Sequence, residues 1–100
     1  MIERKLLIKA SLGLHARAAA KLVRVASGFQ SQLRLRRVVG PGGAAVSADA
    51  KSILSVLMLA ASRGTELLAS AEGVDEEAAM NAIDQLFAEG FGEVKPESSK

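Results

Sequence analysis

The chain has 100 residues, 49% of them apolar and 24% charged, with a net charge of +2, which suits one small domain and is too short for a substrate cleft between two. It has no cysteine and a single histidine, which excludes disulfides and thiol nucleophiles and argues against a zinc site, so no metal or bound cofactor is expected. No run approaches the ~20 apolar residues of a membrane span, and Lys9 ends the N-terminal apolar stretch before it could serve for export, so the expected setting is cytoplasmic, without membrane insertion.

The first element is a half-buried strand over residues 2–8, with Ile2, Leu6 and Ile8 on one side and Glu3, Lys5 and Lys9 on the other. A helix follows over residues 16–27. Ala19, Leu22, Val23 and Ala26 form its apolar stripe, Lys21 and Arg24 turn outward, and Gly28 is placed to end it in a left-handed conformation. Gln32-Leu33-Arg34-Leu35-Arg36 alternates strictly, the pattern of a second strand with one wet face.

Gly40-Pro41-Gly42-Gly43 is the strongest turn signal, and residues 44–48 return as a third strand. Asp49 or Ser47 can cap a helix over residues 50–62, stopped by Gly64, and residues 65–71 read as a fourth strand. Asp75 is the expected N-cap of a last helix. Glu76 and Glu77 suit the dipole in its first turn, and Ala79, Ala82, Ile83, Leu86 and Phe87 form its buried stripe. From Gly90 on, glycine, proline, serine and charge suggest fraying, so the domain is placed at residues 1–90 and a flexible tail at residues 91–100.

The order βαββαβα implies an α+β fold: a four-stranded antiparallel sheet with three helices on one face. RNA-recognition and ferredoxin-like domains share most of this order, so topology does not decide function. The charge is unevenly spread, nine basic residues against two acidic ones in the first half and four against nine in the second. That is either a basic face able to steer an acidic partner or two solvated faces of opposite sign.

The chemistry concentrates at Gly13-Leu14-His15-Ala16-Arg17. With His15 at the N-cap, the amides of Ala16 and Arg17 belong to the unpaired donors of the helix start, and the Arg17 guanidinium can fork onto the same anion. Phosphoryl transfer to histidine needs little more than an imidazole nitrogen that can attack in line and donors for the transferred oxygens. The plainer alternative is an ordinary surface or capping histidine. Farther on, Ile53-Leu54-Ser55-Val56-Leu57-Met58-Leu59 is apolar around the whole helix, so part of it is expected to be exposed to a partner unless the helix is buried on two sides.

Gly13-Leu14-His15-Ala16-Arg17 resembles the active-site signature of the HPr family, the histidine phosphocarriers of the bacterial sugar phosphotransferase system. Lys51-Ser52-Ile53-Leu54 resembles the family's second signature, and Ser70-Ala71-Glu72-Gly73 extends the likeness to the acidic start of the last helix. The resemblance implies an open-faced β-sandwich. It also implies that His15 takes a phosphoryl group from phosphorylated enzyme I and passes it to A-domains of sugar permeases, with Arg17 stabilising the phosphate. Ser52 would be a regulatory serine for an HPr kinase/phosphorylase, with the plain helix hydroxyl as its alternative. Leu14, Ile53, Leu54 and Leu57 would dock partners. Such a carrier would be a co-substrate without its own turnover, and with no large obligate-interface pattern in the sequence a monomer is the expected state.

Two departures from the family stand out: Ala18 where proline is usual, and a longer hairpin over residues 38–45. A nitrogen-type regulatory carrier, uncoupled from sugar uptake, fits the same residues. An RNA-binding module fits the strand order and Arg34, Arg36 and Arg37, but the chain has no Tyr or Trp for base stacking, so no nucleic-acid partner is expected.

Overall fold

The computed structural model describes residues 1–39 and 44–92. Four strands, β1 (Ile2–Leu7), β2 (Gln32–Val39), β3 (Ala44–Asp49) and β4 (Glu66–Glu72), alternate with helices α1 (Ala16–Ala26), α2 (Ile53–Leu57) and α3 (Glu76–Ala88). The sheet is antiparallel throughout, in the order β1-β4-β2-β3, so the last strand in sequence is central and β1 and β3 are the edges. The Gly40-to-Gly43 turn lies outside the described residues, but β2 and β3 pair up to Val39 opposite Ala44, the antiparallel return expected from the sequence.

Strand alternation makes one face dry. Leu6, Leu33, Leu35, Ala48, Leu67, Ala69 and Ala71 are buried and meet Leu22, Val56, Met80, Ile83 and Phe87 from the helices, while Glu3, Lys5, Arg34 and Arg36 stay in water on the other face. Alanines at positions 18, 19 and 26 are fully buried on α1, and their small size lets the helix lie close to its neighbours. Of the three phenylalanines, Phe87 and Phe91 are buried and Phe29 packs against the core from the end of α1. The open face therefore carries no aromatic platform for bases.

α1 ends where expected but not as expected. Ser27 is its C-cap in right-handed geometry, with its amide on the Val23 carbonyl at 2.8 Å, and Gly28 keeps a negative φ, its amide on the Val25 carbonyl at 3.1 Å. A tightened last turn, not a left-handed glycine, stops the helix.

α2 departs furthest from expectation. In place of a helix over residues 50–62 there are five helical residues. Neither Asp49 nor Ser47 caps it: the Asp49 carboxylate takes the Lys51 amide at 2.9 Å, and Ser52 is the N-cap, its Oγ accepting from the Ser55 amide at 3.2 Å. The far end is closed by short bonds from the Leu59 and Ala60 amides to the Val56 and Leu57 carbonyls, with Ala60 at a φ of 51°. The bend turns Leu59 and Ala61 into the core, a use of the apolar run that helical periodicity does not foresee.

The third helix also redirects an expected contact. Asp75 occupies the N-cap position but makes no capping bond. Its carboxylate instead accepts from the amides of Gln30 at 2.8 Å and Ser31 at 2.9 Å and from the Ser31 hydroxyl, tying the α1–β2 turn to the start of α3. Ser31 is completely buried. The Ser31 hydroxyl bond, followed by the Gln30 amide, holds the Asp75 carboxyl below its ordinary range. In the first turn Glu76 accepts the Gly73 amide at 3.1 Å, and its carboxyl is lowered by that bond in the same way.

The expected boundary of the frayed tail is corrected at Phe91. Gly90–Gly92 forms a 3-10 turn in which Phe91 is 0% exposed, edge to face with Phe87 at 4.8 Å between centroids. Lys21 Nζ donates to its carbonyl at 2.7 Å. Phe91 has a left-handed φ of 58°, a cost of about 1–2 kcal/mol that is offset by the roughly 1.5–3 kcal/mol of burying its ring. The rest of the expected tail, residues 93–100, lies outside the described residues.

The Asp75 clamp sets a pH dependence. A carboxyl with a lowered folded pKa stabilises the fold above its unfolded pKa, and that contribution is lost as the pH falls through the folded value. Asp75→Asn is therefore expected to melt at a lower temperature at pH 7. Its melting temperature should also fall less than the parent's on acidification from neutrality to below about pH 4; thermal melts across that range, read by circular dichroism, check both.

Candidate functional site

The approach to α1 is held by backbone bonds to the loop before β4. The β1–β4 ladder ends at Leu7 opposite Glu66 and is continued by Ile8 N–H to the Thr65 carbonyl and Gly64 N–H to the Ile8 carbonyl, each at 2.9 Å. Leu14 N–H then reaches the Ala61 carbonyl at 2.9 Å. Gly13 sits at a φ of 69°, so close to this loop that a Cβ would lie 2.5 Å from the Ala61 carbonyl oxygen and 2.8 Å from Ser62 Cα. Glycine is thus needed twice over, for its backbone angle and for the contact.

These bonds deliver His15 to the N-cap of α1. Its backbone is extended, its carbonyl accepts from the Ala19 amide at 2.8 Å, and its Nδ1 accepts from the Arg17 amide at 3.2 Å. An Nδ1 that accepts does so with its in-plane lone pair, which therefore points at the Arg17 amide in the first turn of the helix. The ring is half-buried, while Ala16 and Arg17 are exposed. Ala18 is fully buried, so the position where the family usually has proline is a packed core site.

The residues expected to dock partners divide. Leu14 is only 5% exposed and anchors the site from within, so it offers no surface; Leu57 is half-buried; Ile53 and Leu54 are exposed at 43% and 70%. Leu12 and Met58, at 74% and 69%, are comparable exposed apolar residues that periodicity alone does not single out. Leu12 precedes the tight turn at Gly13, and Met58 caps the short α2. Because α2 packs against α1, its exposed residues lie on the element next to the one His15 begins. Ser52 is half-buried, with its hydroxyl in the cap of α2. Among the described residues no cluster of three potential metal ligands occurs, and no helix is long and apolar enough to cross a membrane.

Gly13→Ala brings both the steric contact and the left-handed strain. It is expected to cost at least about 2 kcal/mol, with the NMR signals of Leu14, His15 and Ala61 displaced most. Chemical denaturation and amide spectra check this.

The family model for the PTS HPr component phosphorylation site matches residues 2–89. The phosphocarrier protein HPr of Xylella fastidiosa is 45% identical over 93 residues, 93% of this chain and 98% of that protein. The phosphocarrier protein NPr of Proteus mirabilis is 41% identical over 90 residues, 90% of this chain and 94% of that one. Among solved structures, HPr-C-His of Thermoanaerobacter tengcongensis aligns with a TM-score of 0.80 at 40% identity, covering 95% of this chain and all of that one. The open antiparallel sheet with its three helices is the architecture of those relatives. With the fold, the histidine at the helix start and the match along nearly the whole chain in agreement, the protein belongs to the PTS HPr family of phosphocarriers.

Proposed function

We propose that His15 takes a phosphoryl group from phosphorylated enzyme I and passes it to the A-domains of sugar permeases. The observation that carries this reading is the direction of His15 Nδ1, which faces the Arg17 amide at the start of α1. In the forward step the Arg17 amide lets go of Nδ1, the freed lone pair attacks phosphorus in line, the N–P bond forms, and the bond to the donor breaks with its electron pair leaving on the donor. The transferred oxygens then take over the helix-start donors, the amides of Ala16 and Arg17, where the dipole favours negative charge. The exposed Arg17 side chain adds a bidentate guanidinium on the same oxygens. The reverse step hands the group on, so the protein turns over nothing by itself.

Docking falls to the exposed apolar residues Ile53 and Leu54, with Leu57 half-buried behind them and Leu12 and Met58 as further candidates. Ser52 is the regulatory serine of this reading, for a kinase of the HPr kinase/phosphorylase type. A phosphate there would set about −2 charge beside Ile53 and Leu54 and weaken docking. A nitrogen-type carrier is the second reading, favoured by the 41% identity to NPr. The two differ in the acceptor alone.

Incubation with enzyme I and phosphoenolpyruvate, read by intact mass, tests the carrier role. One acid-labile phosphate is expected on the parent protein and none on His15→Ala; absence of transfer from the cognate enzyme I defeats the reading. Offering the loaded protein sugar-type and nitrogen-type A-domains in turn separates the two acceptors. Ser52→Asp is expected to accept phosphate from enzyme I at least about tenfold more slowly, equivalent to ~1.4 kcal/mol in the barrier, and an unchanged rate removes Ser52 from control.

A further inference from the structure

One end of the open sheet face is stepped. β2 runs on to Val39, but Arg36, opposite Leu68, is its last residue in register with β4. The step opens a groove of about 430 Å³ lined by Lys5, Arg36, Arg37, Thr65, Glu66 and Leu68 among others, a size within the ~300–1,000 Å³ range of small-molecule sites. Lys5 and Arg36 both lie opposite Leu68, one from each side, so a single apolar residue forms the floor between two cations.

The charges in this groove are uncompensated. On the open face Lys5 and Arg36 stand against Glu66, a formal +1, and the ion pairs among the described residues lie elsewhere, at Met1–Glu76 and Arg4–Asp84. Arg37 follows Leu33 and Leu35 on the dry side of β2, opposite Val46, so the cations of the open face are Lys5 and Arg36. Arg36 offers fork geometry to phosphoryl oxygens, Lys5 adds a point charge from the other side, and Leu68 and Thr65 give the remainder of a small ligand an apolar and a hydroxyl contact.

We propose that this groove binds a small phosphomonoester, whose charge of about −1.5 to −2 is met by Lys5 and Arg36 on either side of Leu68. His15, Arg17 and α2 take no part in it, so the inference is independent of the phosphocarrier reading. The ligand would nevertheless touch Thr65, whose carbonyl holds the Ile8 amide in the seam that supports the His15 turn.

The test is an amide NMR titration of the full chain with glycerol 3-phosphate at about 0.15 M ionic strength, with sodium sulfate in a parallel arm. Saturable shifts are expected at Arg36, Arg37, Thr65 and Glu66. Arg36→Gln and, separately, Lys5→Gln should weaken the affinity about tenfold, Glu66→Gln should strengthen it, and Arg24→Gln should leave it unchanged. Shifts that never saturate, that persist unaltered in both Arg36→Gln and Lys5→Gln, that are confined to residues 15–17, or that sulfate reproduces at equal affinity would overturn the proposal.

Discussion

The arrangement at His15 depends on the seam between the segment leaving β1 and the loop entering β4. Its three backbone hydrogen bonds, from the amides of Ile8, Gly64 and Leu14, extend the edge of the sheet into irregular chain and stop where the helix begins. Backbone groups so paired have no better alternative in water-poor surroundings, and the glycine contact at position 13 leaves the turn no room to relax. The position of the imidazole is thus fixed by main-chain bonding, while the exposed side chains around it remain available for recognition.

The same economy appears where α3 begins. The Asp75 carboxylate serves the Gln30 and Ser31 amides and the Ser31 hydroxyl in place of its own helix. It thereby joins two connections that are 44 residues apart in the sequence. The helix start gives up a side-chain cap for it, and Glu76, bonded to the Gly73 amide, holds the adjoining turn. A local preference is traded for a contact that fixes how α1 and α3 approach the sheet.

Much of this was legible in the residues. The strict alternation around Leu33 and Leu35, the apolar stripe of α1, and His15 ahead of it identify β2, α1 and the candidate site, because local periodicity and capping chemistry decide those elements. The misread parts are those settled by contacts between distant segments. A window over residues 50–62 sees an apolar run and reads a helix. It cannot see that Leu59 and Ala61 are drawn into the core by the seam, which leaves five helical residues and an exposed Leu54. Asp75 reads as a cap because its partner at Ser31 is invisible locally, and Phe91 reads as tail because Phe87 supplies its reason to be buried.

The strand order has a consequence for how the protein is made. With β4 between β1 and β2, the first strand has no neighbour in the sheet until residues 66–72 exist, so during synthesis from the N-terminus β1 must wait while about two thirds of the chain emerges. At the ~5–20 residues per second of translation, that is a delay of several seconds, during which α1 can form locally but the seam beneath His15 cannot. Fragments truncated by aborted synthesis before β4 therefore carry the whole segment around the histidine without the scaffold that orients it, so His15 reaches its place at the helix start only once β4 is in the sheet.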